Sequence, residues 1–249
     1  MFRVVLCMIL ILASPAAHAA CRQALVLALD VSSSVDDAEY SLQMQGLAGV
    51  LSDPEVQDAL LANPKNPVML AIFEWAGRDD QRLILGWTRL VSKTDLAGIS
   101  AILMQQGRKG GTRSTAIGRA LTYAGDLLEQ VPDCWQHTVD ISADGKNNDG
   151  YRPKIGKQAA VFQHVVVNGL VIGKAFENTS EIAGNVIAEL NAYFNQEILH
   201  GPDAFVETAL GFQDFARAMK KKILRETSMA IAAGPGARQL TASLSPLER

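Results

Sequence analysis

Two strand-like runs that each deliver an aspartate to their carboxyl end constrain this chain most. Ala24-Leu-Val-Leu-Ala-Leu29 leads into Asp30, and Thr138-Val-Asp-Ile-Ser142 leads into Asp144-Gly145. The first run is continuously apolar, the pattern of a central parallel strand buried on both faces. Asp30 opens the hydroxyl-rich stretch Asp30-Val-Ser32-Ser-Ser34. A third oxygen-rich stretch, Gly110-Gly-Thr-Arg-Ser-Thr115-Ala-Ile-Gly118, stands at the start of a predicted helix. Two carboxylates and three hydroxyls in this order describe a site for a hard cation.

The rest of the chain alternates strand and helix patterns. A helix begins at Asp36-Asp37, with Tyr40, Met44, Leu47 and Leu51 at helical spacing; the acidic first turn suits the helix dipole. Glu55 to Leu61 predicts a shorter helical piece. Pro67–Trp75 and Arg82–Leu90, joined by the polar turn Gly77-Arg-Asp-Asp80, predict an antiparallel hairpin. Helices follow at Asp95–Gln105 and from about Thr115 to Glu129. The strands His137–Ser142 and Val165–Ile172 come next, with a helix through Lys157–Ala160 between them. Another helix carries Ile182, Val186, Leu190 and Tyr193. Ala204–Ala209 predicts an edge strand, and Phe212, Phe215, Met219 and Ile223 mark the last helix. Lys220, Lys221 and Lys222 read as the solvated end of that helix. The order predicts an α/β fold: a doubly wound, mostly parallel sheet with one antiparallel edge strand and helices on both faces. In such sheets ligands bind outside the carboxyl ends of the strands. Asp30, Thr115 and Asp144 would all reach that rim.

The amino terminus reads as a secretory signal. Arg3 precedes an apolar stretch from Val4 to Leu12, and Ala17-His18-Ala19 has the small-x-small form of a cleavage site. The stretch is too short for a membrane span. Cleavage after Ala19 leaves Cys21 next to the new terminus. A lipid anchor on Cys21 is the rival reading, and His18 stands where a lipoprotein signal usually has an aliphatic residue. The expected organisation is a signal peptide at residues 1–19, one domain over 20–228 and a disordered Gly/Pro/Ser-rich tail at 229–249. The expected location is periplasmic or secreted.

Cys7 leaves with the signal, so Cys21 and Cys134 remain, and an exported chain with two cysteines predicts one disulfide. Cys21 lies nine positions before Asp30 and Cys134 ten positions before Asp144. If both aspartates end adjacent parallel strands, both cysteines lie near the opposite ends, at disulfide distance.

The formal charge of −3 over 249 residues leaves no basic surplus, so nucleic-acid binding is not expected. No GxGxxG follows the first strand, GRKGGTRST lacks phosphate-loop spacing, and no GxSxG elbow is present. His137 and His164 fall near the amino ends of their strands, away from the rim. His200 stays open as a general base. Other residues carry two readings. Glu74 and Trp75 either border the site or pack. Asn147, Asn148 and Asp149 either line a partner surface or form a polar turn. Asn168-Gly169 is a bulge or a rim contact. Arg108, Lys109 and Arg113 meet an anion or form a solvated loop.

DxSxS, then Thr115 before Ala-Ile-Gly-Arg-Ala-Leu, then Asp144 in an Asp-Gly pair together resemble the metal-ion-dependent adhesion site of von Willebrand factor type A domains. The patterns DVSSSVD, GRAL and DISADGKNN are most similar to an exported bacterial branch of that family. The resemblance runs from Ala24 to about Glu226. Thr112 and Thr115 compete for the threonine position, and the residues that follow favour Thr115. The resemblance implies that Ser32 and Ser34 ligate a cation directly, with Asp30, Thr115 and Asp144 direct or through water. It implies Mg²⁺, or Mn²⁺ or Ca²⁺, since oxygen donors suit hard cations and zinc prefers Cys and His. It also implies a non-enzymatic module that recruits a protein partner presenting a carboxylate to the metal. The alternative is a metal-dependent, phosphoesterase-like hydrolase using the same oxygens.

Overall fold

The computed structural model describes residues 21–109, 114–174 and 180–232. The expected signal peptide, Thr112, Arg113 and the tail beyond Ala232 lie outside the described residues. The strands are β1 (Cys21–Asp30), β2 (Val68–Trp75), β3 (Gln81–Leu90), β4 (Cys134–Ala143), β5 (Val165–Ile172) and β6 (Val206–Ala209). The helices are α1 (Asp37–Ser52), α2 (Pro54–Leu61), α3 (Lys93–Met104), α4 (Ile117–Leu128), α5 (Pro153–Gly156), α6 (Ser180–Tyr193) and α7 (Phe215–Ala232). The sheet order is β3-β2-β1-β4-β5-β6. Only the β2–β3 pair is antiparallel, and it lies at an edge as expected.

β1 is buried along its whole length because helices cover both faces. Leu25, Leu27 and Leu29 pack with α1, α2, α3 and α7. Ala24, Val26 and Ala28 pack with α4 and the segments around Phe162 and Phe194. Helix starts follow local chemistry. Asp36 caps α1 in a reciprocal box with Glu39, and Ser92 caps α3 with Asp95. Thr115 is not in a helix, however. α4 begins at Ile117 after Ala116, which offers no side-chain cap. Asn168-Gly169 forms no bulge, since the β4–β5 register runs unbroken from His137↔Val165 to Ala143↔Val171. Gly169 is there for closeness: a Cβ would lie 2.4 Å from the Phe194 ring.

Other expectations shift. The helix expected through Lys157–Ala160 divides into α5 and a 3₁₀ turn at Ala160–His164. The last helix continues to Ala232, so residues 229–232, read as tail, are helical. The three lysines therefore sit mid-helix, and Lys222 is fully buried rather than solvated.

Cys21 pairs with Cys134 in the β1–β4 register, and the two form the disulfide with their Cα atoms 4.6 Å apart. The bond closes a sequence separation of 113 residues. Replacing both cysteines by serine should cost on the order of 4 kcal/mol in the chain-entropy model. Denaturant unfolding of the double variant against the oxidised protein checks this, and an unchanged midpoint would contradict it.

Candidate metal centre at the sheet rim

Asp30 ends β1, and Ser32 and Ser34 sit in the turn before α1. The chain reverses at once because Val31 donates to the Trp75 carbonyl at 2.9 Å and Val35 donates to the Ser32 carbonyl at 2.9 Å. The Ser32 amide donates to Asp30 Oδ1 at 2.8 Å. The Ser32 and Ser34 hydroxyls are 3.1 Å apart, and Ser34 Oγ donates to Asp144 Oδ1 at 2.6 Å. Residues 110 positions apart thus meet in one hydrogen-bonded chain of oxygens.

Thr115 enters through its backbone. Its amide donates to Asn148 Oδ1 at 2.7 Å, and its carbonyl accepts from the Asn148 amide at 2.9 Å. The Ala116 amide donates to the Ala76 carbonyl at 2.7 Å. The threonine is thereby held between the exit of β2 and the loop after Asp144, and it is buried. Asn147 Oδ1 accepts from the Gly118 amide at 3.2 Å, at the start of α4. Asp149 accepts from Arg78 Nε at 2.9 Å and from the Arg78 amide at 3.0 Å, and these bonds hold its carboxyl below the usual range. The Asn147–Asp149 segment is thus a brace around Thr115.

The second strand end is also a brace. Tyr40 donates to Glu74 Oε1 at 2.5 Å, and Arg82 Nε donates to Glu74 Oε2 at 2.8 Å. Trp75 is fully buried packing. Arg108 is not solvated: its guanidinium lies 3.4 Å from the Ser32 carbonyl and 3.4 Å from Asp37 Oδ1. The histidines sit elsewhere. His137 Nε2 is 2.9 Å from the Val131 carbonyl, and His200 Nε2 is 2.8 Å from the Phe162 carbonyl, before the amino end of β5. A cavity of about 700 Å³ also opens at that far end, beside Cys134, His137 and His164, and none of the five rim residues lines it.

The rim has an electrostatic deficit. Asp30 Oδ2 and Asp144 Oδ2 are buried and neither has a hydrogen-bond partner. Burial, and then the charge of Asp144, push the Asp30 carboxyl up to about 7. Lys174 Nζ lies 3.6 Å from Asp144 Oδ2. Among the described residues, no three or more His, Cys, Asp or Glu side chains cluster to hold a metal. A cation here would rest on two carboxylates plus hydroxyls and water, the donor set of a hard ion. The orphaned oxygens are what such an ion would satisfy.

Loss of the Tyr40 hydroxyl should be felt although it lies outside the oxygen chain. Tyr40→Phe should cost about 1.5–3 kcal/mol, the range for a hydrogen bond to a charged group. Chemical denaturation of the purified variant measures it, and a cost near zero would mean that Arg82 alone satisfies Glu74.

No curated protein matches the chain in sequence. Solved structures match its fold. Proximal thread matrix protein 1 from the mussel byssus, solved with a zinc-occupied MIDAS motif, matches at TM-score 0.55 and 18% identity, over 82% of this chain and 47% of that one. The pilus adhesin SpaC from Lactobacillus rhamnosus GG, in its open conformation, matches at 0.55 and 14%, over 84% and 30%. A von Willebrand factor type A structure from Catenulispora acidiphila matches at 0.53 and 14%, over 85% and 43%. The chain spans less than half the length of each. At these identities the likeness is one of fold, and the fold is that of a von Willebrand factor type A domain. The family model described as "Protein of unknown function (DUF1194)" matches residues 20–231, and the chain belongs to that family.

Proposed function

We propose that this chain is an exported binding module that holds a divalent cation through Asp30, Ser32, Ser34, Thr115 and Asp144 and recruits a protein partner through an acidic side chain. The observation that carries the reading is the pair of buried carboxylate oxygens without a hydrogen-bond partner, Asp30 Oδ2 and Asp144 Oδ2, with Ser32 bonded to Asp30 through its amide and the Ser32 and Ser34 hydroxyls leading on to Asp144. Leaving such groups unpaired is costly, and a cation removes both the orphaned acceptors and the mutual repulsion. Two carboxylates leave little excess negative charge on a divalent ion. The ion stays electrophilic toward one more anionic oxygen, and a partner's carboxylate supplies it.

The chemistry assigned to each residue is modest. Ser32 and Ser34 offer neutral oxygens that orient around the ion at no cost in charge. Asp30 and Asp144 supply the charge. Thr115 adds a hydroxyl from a loop whose position Asn148 sets. Mg²⁺ is the first choice of ion, with Mn²⁺ or Ca²⁺ compatible with the same oxygens. The disulfide supports an oxidising, extracytoplasmic location. Among the described residues no helix is long and apolar enough to cross a membrane. The hydrolase alternative gains no support from the histidines, because those that could act as bases lie at the other end of the sheet.

Calorimetric titration of the full chain with MgCl₂, repeated with MnCl₂, tests the proposal. Wild-type protein should bind one ion, and Asp30→Ala or Ser32→Ala should weaken it by at least about tenfold, the scale of losses around metal sites. A thermal scan at 100 times the dissociation constant should show about 2.7 kcal/mol of added stability. Absence of both binding heat and a thermal shift in the wild type would overturn the reading. Asn148→Ala removes no proposed ligand, yet it should lower the same affinity about tenfold by freeing Thr115, whose amide it holds. Unchanged affinity in that variant would remove Thr115 from the ligand set.

A further inference from the structure

Four buried polar groups that the rim does not use gather under α7, in the middle of the sheet. Asp140 on β4 and Asn168 on β5 are register partners, and Lys222 and Glu226 stand one turn apart on α7. All four are at most 1% exposed. Lys222 Nζ lies 3.0 Å from Asp140 Oδ2 and 2.6 Å from Glu226 Oε1. Asn168 Nδ2 donates to the same Glu226 oxygen at 2.8 Å, and Asn168 Oδ1 accepts from the Phe205 amide at 3.1 Å. The Phe205 ring covers the cluster, its centroid 5.2 Å from Lys222 Nζ.

As an ion cluster this arrangement is poorly satisfied. Neither Asp140 oxygen has a hydrogen-bond partner, nor has Glu226 Oε2, so the ammonium touches Asp140 without hydrogen-bond alignment. Two carboxylates share one ammonium in a dry site, where removing charges from water costs more than their attraction readily returns. Burial pushes the Asp140 carboxyl up to about 7, against the opposing pull of Lys222 and with the charge of Glu226 adding to it. Burial thus favours the neutral acid at Asp140, and that form can lose its hydroxyl.

We propose that Lys222 Nζ and Asp140 Cγ condense into an intramolecular isopeptide bond, with Glu226 carrying the protons. Glu226 takes one proton from the ammonium and keeps it. The freed lone pair attacks Cγ of the protonated Asp140. A second nitrogen-bound hydrogen joins the departing hydroxyl as water, and the third remains as the amide N–H. The Nζ–Cγ bond forms, one Cγ–O bond breaks, and nothing is oxidised or reduced. The cluster ends with no formal charge, its amide facing Glu226. Water release in a closed site and effective molarities of about 10⁵–10⁸ M for well-placed groups drive a condensation that free acids and amines in water do not favour. The bond fastens α7 to β4, as the disulfide fastens β1 to β4, and it needs no oxidant.

The test is the intact mass of the purified full chain, denatured and reduced, with the leader's cleavage point read from the amino-terminal peptide. The expected mass is that of the unlinked chain less one water, and fragment spectra should show one branched peptide joining Asp140 to Lys222. Lys222→Met and Asp140→Ala should each restore the unlinked mass, and Glu226→Gln should leave most of the chain unlinked. If those variants do not fold, the wild-type mass decides alone. A wild-type mass equal to the unlinked chain overturns the proposal and leaves a buried ion cluster. Loss of ammonia with a branch at Asn168 overturns the assignment of Asp140.

Discussion

The parallel pairing of β1 with β4 is the constraint on which the rest of the molecule depends. These strands are sequence-distant and lie at the centre of the sheet, with helices packed on both faces. At one end Cys21 and Cys134 are joined covalently. At the other, Asp30 accepts from the Ser32 amide and Asp144 from the Ser34 hydroxyl, and the two serine hydroxyls touch. A one-residue slip in this register would turn every side chain of one strand to the wrong face. It would also part the carboxylates and the cysteines together. The disulfide and the oxygen chain are two readouts of one alignment.

Around that axis, much of the polar chemistry of the rim serves position. Asn148 holds Thr115 by both of its backbone groups, Asn147 meets the start of α4, and Asp149 is tied to Arg78. Glu74 anchors Tyr40 and Arg82. Loop backbones need such partners, because an unpaired buried amide or carbonyl is expensive. Among the described residues the rim leaves Asp30 Oδ2 and Asp144 Oδ2 without a hydrogen-bond partner, along with the buried Arg108 Nε and Trp75 Nε1. The two orphaned carboxylate oxygens, with the charge of Asp144 raising the Asp30 carboxyl, are the physical basis for reading the rim as a cation site.

Much of this was legible from residues alone. The apolar run before Asp30 could only be a doubly covered strand. The matching offsets from Cys21 to Asp30 and from Cys134 to Asp144 placed both pairs at opposite ends of neighbouring strands. The oxygen donors were readable because carboxylates and hydroxyls that follow strands at a sheet's carboxyl end have few other uses in such numbers. Less visible were residues whose role depends on what lies across from them. Asn148 looks like any turn asparagine, and its value comes from a loop 33 positions away. Gly169 looked like a break in a strand, and the reason for it is the Phe194 ring above it.

Lys222 marks the boundary most clearly. In the chain it is the third of three lysines, a pattern of solvated helix ends. In the fold it is wholly enclosed, because α7 runs on to Ala232 and turns that position toward Asp140 on the sheet. By itself the sequence pointed to the sheet class, to the cysteine pairing and to the aspartates and serines that meet at the rim, since strand periodicity and side-chain chemistry are local properties. Only the tertiary structure decided which loops brace Thr115, that Arg108 leans on the Ser32 carbonyl, and that a lysine is buried among carboxylates. Those outcomes depend on how α7, the loops and the sheet pack in three dimensions, and spacing along the chain carries no record of that packing.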